Sequence, residues 1–214
     1  VRNNHVMFGT QNLPLFVASG LLLNLMPGPD TLYIVGRSVS QGRKAGVVSV
    51  LGISSGCAVH TVAAAFGLSA ILAASASAFT VVRLAGAAYL VYLGLRLWLE
   101  RGAVARPAGE LPAQRLWPIY RQGVMTNVLN PKVALFFLSF LPQFVDPASP
   151  AKVVAFLFLG GVFIFNSTIY CSTVAWFAAA LSTRLRQGSS SGSLLKRATG
   201  ALFVGLGLKL AVTR

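Results

Sequence analysis

Asp30 follows Pro27, Gly28 and Pro29 inside a run that carries no lysine, arginine or acidic residue after Arg2. A carboxylate in hydrocarbon costs about 2.5–3.5 kcal/mol on insertion scales, so it is kept for a task or a partner. The residues ahead of it are those that open a helix. Proline removes a backbone donor and clashes with the preceding turn, and glycine adds conformational freedom. Backbone freed in this way has to line a protein cavity or a ligand. A second stretch has the same character: Asn127-Val128-Leu129-Asn130-Pro131-Lys132 puts two amides, a proline and a cation in mid-run. Asn24 precedes Asp30 much as Asn127 precedes Lys132. The N-terminal end of a broken helix offers free N–H groups and a partial positive charge, suited to a carboxylate. Lys132 adds a full charge, and Asp30 suits an ammonium or a proton. Such a pair fits a zwitterion, so an amino-acid-like substrate is expected.

Plainer roles compete at each position. Asp30 is placed to cap the second half of its helix. Asn130 before Pro131 is a good cap followed by a good first helical residue. Lys132 is within reach of either Asp30 or free carbonyls. His60 suits a proton relay, since an imidazole exchanges protons near neutral pH, and suits helix packing equally well. Tyr33, Tyr89, Tyr92 and Tyr170 read as packing residues or as the wall of a cavity, and Phe136-Phe137 as ordinary packing. Cys57 and Cys171, both in apolar runs, read as small buried hydrophobes. The two histidines and two cysteines are scattered without ligand spacing, so no resident metal or cofactor is expected.

The elements that must carry these residues are membrane spans. Of 214 residues 55% are hydrophobic and only 10% charged, against about 25% charged in soluble domains. Mean hydropathy is +0.71. A span needs about 20 apolar residues. The pattern predicts helices near 13–38, 46–70, 80–99, 118–141, 153–182 and 194–212, the first and fourth broken at their prolines. Residues 1–12 read as a loose lead and 100–117 as a linker, leaving three-helix units at 13–99 and 118–214. Gly52 and Gly56 form a G-x-x-x-G pair that allows close helix approach.

The net charge of +14 would point to nucleic acid in a soluble protein. Here the cations fall in alternate loops: Arg37, Arg43 and Lys44; Arg101, Arg106, Arg115 and Arg121; Arg184, Arg186, Lys196 and Arg197. That is the positive-inside pattern, and it places both termini outside. The first and fourth helices then cross in opposite senses, as the broken members of a three-plus-three inverted repeat. Matching broken segments in two halves are the best sequence pointer to a transport site. The expected partners are the bilayer, a small substrate and protons, with self-association left open.

These residues also carry a resemblance. Asn24–Tyr33 with Pro-Gly-Pro-Asp, the run from Gly52 through His60, Ala85–Gly94, and Gln122–Lys132 followed by Phe136-Phe137 and Leu141–Phe144 resemble the LysE/RhtB amino-acid exporters over nearly the whole chain. The resemblance implies a bacterial inner-membrane exporter of amino acids such as threonine, homoserine or lysine, driven by the proton motive force. It carries over onto Pro27, Gly28, Pro29, Asp30, Asn127, Asn130, Pro131 and Lys132. Two other classes stay in view. A cation exporter would have to work with Asp30 and His60, few ligands for a hard or borderline ion. A transmembrane thiol-redox protein would carry paired cysteines beside the prolines, whereas Cys57 and Cys171 lie in the second and fifth helices. Full activity in a Cys57→Ser/Cys171→Ser double variant would close that reading.

Overall fold

The computed structural model describes residues 7–74, 77, 81 and 113–186. Every regular element within them is helical: α1 (Leu13–Leu25), α2 (Pro29–Ala63), α3 (Ser69–Ala74), α4 (Leu116–Val128), α5 (Pro131–Leu135) and α6 (Lys152–Arg186). A π-helical turn at Ala64–Leu68 joins α2 to α3, and another at Phe136–Phe140 leads from α5 into a 3-10 turn, Leu141–Phe144. Pro29–Ile71 and Lys152–Ser182 are long and apolar enough to cross a membrane, with mean hydropathies of 1.7 and 2.0. Leu116–Val128 and Pro131–Phe144 form a further apolar pair, bent by 48°. This is the make-up of a multi-pass membrane protein. The spans expected at 80–99 and 194–212, and the linker up to residue 112, lie outside the described residues apart from position 81.

Proline chemistry sets the helix ends near the site. Met26 (φ −70°, ψ 118°), Gly28 (φ −160°, ψ −178°) and Asn130 (φ −77°, ψ 108°) are all extended. Each precedes a proline, whose ring disfavours the helical region for the residue before it. Helix α1 therefore stops at Leu25, α4 at Val128, and Pro29 and Pro131 each open the next helix.

Helix α2 is interrupted at Gly42 (φ 79°, ψ −169°), a left-handed position that favours glycine. The chain folds back there. A Cβ on Gly46 would collide with the Ser38 hydroxyl, and Asp30 and Cys57 line one cavity. A straight helix would hold those last two roughly 40 Å apart. Residues 29–41 and 43–63 are thus antiparallel limbs, turned at the basic stretch Gln41-Gly42-Arg43-Lys44 where the sequence predicts a loop.

One expectation is corrected at the N-terminus. The lead is not loose from residue 7 onward. Gln11 N–H donates to Phe144 O (2.8 Å), Asp146 N–H donates to Gly9 O (2.9 Å), and Thr10 forms a β-bridge with Val145. Thr10 is fully buried. The lead straps the start of α1 to the end of the 3-10 turn. Beneath it lies a core of Phe16, Phe136, Phe137, Phe144, Phe156 and Phe163. Phe136 and Phe163 have ring centroids 4.8 Å apart, in the range where aromatic pairs add about 0.5–1.5 kcal/mol to their burial. Phe136-Phe137 is packing, as the sequence suggests.

Candidate functional site

Asp30 lies in the first turn of α2, where Gly28 occupies the cap position and no side chain caps the helix. Asp30 therefore does not cap. Its Oδ2 accepts a hydrogen bond of 2.8 Å from Asn127 Nδ2. Asn127 comes from the last turn of α4, is fully buried, and sits so close to Gly56 that a Cβ there would lie 2.6 Å from its own. The carboxylate is thus tied across the molecule to the second interrupted region, with a helix N-terminus behind it to favour its charge.

Lys132 takes the other reading the sequence leaves open. Its Nζ donates to Leu23 O (3.1 Å) and Met26 O (2.9 Å), the carbonyls at the C-terminal end of α1. A cation at a helix C-terminus satisfies orphan carbonyls and the dipole together. Gly28 makes room for it, since a Cβ there would lie 3.2 Å from Nζ. Asn130 caps α5: its Oδ1 accepts from Lys132 N–H at 3.1 Å. Lys132→Met leaves Met26 O without its partner, at about 1–3 kcal/mol for an unsatisfied buried group, while Leu23 O keeps only its bond from Met26 N–H. Thermal melting of the purified protein in detergent is expected to shift down by several degrees. An unchanged melting curve would show that the lysine does not hold α1.

Asp30, Asn24, Asn127 and Lys132 converge on one enclosed cavity of about 20 Å³, room for a single water. Three buried polar atoms among its lining residues lack a hydrogen-bond partner: Asp30 Oδ1, Asn127 Oδ1 and Asn24 Nδ2. Asn24 Oδ1 accepts from Ser167 Oγ at 3.3 Å. Buried polar groups are nearly always paired, and here two acceptors and one donor stand open around one space.

His60 stands outside this cavity. Its Nε2 lies 3.2 Å from Asn127 O. A carbonyl only accepts, so that nitrogen carries the hydrogen. The ring stacks on Phe137 at 5.8 Å. Asn130 also lies outside the cavity and borders a separate cleft. The sequence did not single out Thr31 and Ser167, which share the cavity wall with Tyr170 and with Cys57 and Cys171, read from sequence as small buried hydrophobes. The two cysteines are free, and the fold brings them to the same space from α2 and α6.

Arg37 departs from its expected place in a basic loop. It lies in the first limb of α2 and is only 3% exposed. Nη1 donates to Gln41 Oε1 (3.1 Å), and Nη2 donates to Gln114 Oε1 (2.9 Å) and Gln122 Oε1 (2.8 Å). Tyr33 lies beneath it, with its hydroxyl bonded to Ile119 O at 2.6 Å.

Comparison with known proteins gives these residues a context. Residues 21–214 match the model of the LysE type translocator family. An uncharacterized membrane protein of Pseudomonas aeruginosa is 31% identical over 92% of this chain and 93% of its own length. A protein of Enterobacter sp. described as a leucine efflux protein is 30% identical over 95% of this chain and 97% of its own length. A homoserine/homoserine lactone efflux protein of Salmonella typhimurium is 28% identical over 93% of this chain and 95% of its own length. No solved structure matches.

Proposed function

The chain belongs to the LysE type translocator family, and on that premise we propose that it is a secondary exporter of an amino acid, a transporter rather than an enzyme. The observation that carries this reading is the set of unpartnered groups at the closed cavity. An ammonium group donates to Asp30 Oδ1 and Asn127 Oδ1. A carboxylate accepts from Asn24 Nδ2, and from Lys132 once its hold on α1 is released. Relatives described as leucine and homoserine/homoserine lactone efflux proteins support this choice of substrate class.

In this proposal Asp30 also carries the coupling proton, with His60 on the far side of Asn127 as a second proton-exchanging group. Residues 13–41 and 116–144 are the broken helices of a three-plus-three inverted repeat, with their interruptions facing each other at mid-membrane. The basic turn at Gly42 faces inward, both termini face outward, and the membrane is the bacterial inner membrane. A cavity of about 20 Å³ is far below the roughly 300–1,000 Å³ of small-molecule sites. The arrangement is a closed one, which must widen for an amino acid to enter, as alternating access requires.

The test is efflux from proteoliposomes loaded with a panel of amino acids and given a pH gradient. Movement of at least one amino acid above protein-free vesicles is expected. If none moves under any gradient, the reading fails.

A further inference from the structure

A second, larger space lies beside the closed cavity. It is a cleft of about 740 Å³ between the first limb of α2 and α4. One end is bounded by Pro29 and Asn130, next to the two interruptions, and the other by Arg37, Gln114 and Gln122. The cleft therefore runs from the site toward the face that carries the basic turn. Its wall has two chemical parts. Arg37 supplies a buried guanidinium held in place by glutamine oxygens and the Tyr33 ring. Met125 and Leu129 supply apolar surface, 54% and 70% exposed.

We propose that this cleft is an entry site for an amino acid with an uncharged side chain, its carboxylate received by Arg37 beside Gln122 and its side chain laid along Met125 and Leu129. The inference rests on the exporter reading and adds to it a binding station ahead of the central cavity. The chemistry follows from the fork of Arg37. A carboxylate accepts charge-assisted hydrogen bonds roughly twice as strong as neutral ones, so it displaces the Gln122 oxygen from Nη2. Gln122 lies on the exposed side of α4, where its amide is free to turn and donate to the carboxylate. Burial of Arg37 fixes the fork in advance, so little freedom is lost when the substrate arrives. Pro29 and Asp30 lie two helical turns further along the same limb, so one short advance brings the ammonium to the central carboxylate.

The experiment is transport in oriented proteoliposomes with substrate presented at the basic face. An amino acid is compared with its amide, which keeps the ammonium and loses the carboxylate charge. Wild type is expected to prefer the acid. Arg37→Gln is expected to raise the apparent KM at that face by about tenfold or more, to leave maximal rate within about threefold, and to erase the acid-over-amide preference. Arg37→Lys restores part of that preference, because it keeps the charge without the fork. Should Arg37→Gln fail to insert, Met125→Cys carries the test. Labelling of that thiol by an impermeant reagent from the basic face should be slowed by the amino acid and not by its amide. Unchanged KM and preference in Arg37→Gln overturn the entry site while leaving the exporter standing, as does labelling indifferent to the amino acid. A wild type that moves no amino acid sinks the exporter reading and the entry site with it.

Discussion

Asp30→Asn is expected to stay folded in the membrane and to lose pH-driven efflux, down to the rate of protein-free vesicles. The substitution keeps the shape of the side chain and an oxygen for Asn127 Nδ2 to bond, now 2.8 Å from Oδ2. What it removes is the charge. An ammonium bonded to a carboxylate gains about 1.5–3 kcal/mol net, so its loss alone lowers affinity by about tenfold to more than a hundredfold. The second loss is larger. A carboxyl takes and releases a proton, whereas an amide stays neutral at every working pH, so the variant has no means of coupling at this position. Rates measured across a series of imposed gradients should be flat for the variant and steep for wild type. Steep dependence in both would remove Asp30 as the coupling group.

Gly52→Leu should give the largest loss of stability. Gly52 and Gly123 face each other where the second limb of α2 crosses α4. A Cβ on Gly52 would lie 3.0 Å from Gly123 Cα and 3.1 Å from Val124 N, and nearer still to Tyr120 O. All three are backbone atoms and cannot rotate aside. Without a hydrophobic force between helices in lipid, close packing holds such a pair together. Overpacking a well-filled contact costs about 1–3 kcal/mol, occasionally more, and here the remedy is to move a whole helix. The variant should show lower yield in the membrane and a clear fall in melting temperature in detergent, with Gly52→Ala intermediate. The same crossing holds Gly56 against Asn127, so Gly52→Leu should also reduce transport in whatever protein survives. A melting temperature equal to that of wild type would mean the two helices do not meet here.

The central residues were readable from sequence because they break rules. A carboxylate, two asparagines and a lysine inside apolar runs stand out, and pre-proline geometry says where helices stop. Asp30, Asn24, Asn127 and Lys132 meet for those reasons. The residues that the sequence hid obey every rule. Ser167 and Cys171 sit in a helix apolar all round, and nothing in their spacing says which face of α6 turns inward. Arg37 was hidden differently. Five residues before the Gly42 turn, it counted as one more loop cation, and only the glutamines around its guanidinium show that it is enclosed. The choice between cap and site was also beyond spacing. Asp30 and Asn130 both stand beside a proline at a helix start, yet Asn130 precedes its proline and caps, whereas Asp30 follows its proline, leaves the cap position to Gly28, and bonds Asn127 instead. The turn at Gly42 was legible from its composition, whereas the anchoring of residues 7–12 depends on backbone bonds to Phe144–Asp146 that leave no mark in side-chain type.

That anchoring has a mechanical meaning. The strap of residues 7–12 fastens the beginning of one interrupted helix to the far end of the other, on the side of the molecule away from the Arg37 cleft. Two arms pinned at one end part most readily at the other, as tongs do. On the exporter reading, a cargo arriving from the basic side has only the side-chain bonds of Tyr33, Arg37 and Gln41 to part, whereas letting it go on the opposite side requires the backbone pin itself to slip, and a chain shortened through residue 10 should open there with less effort.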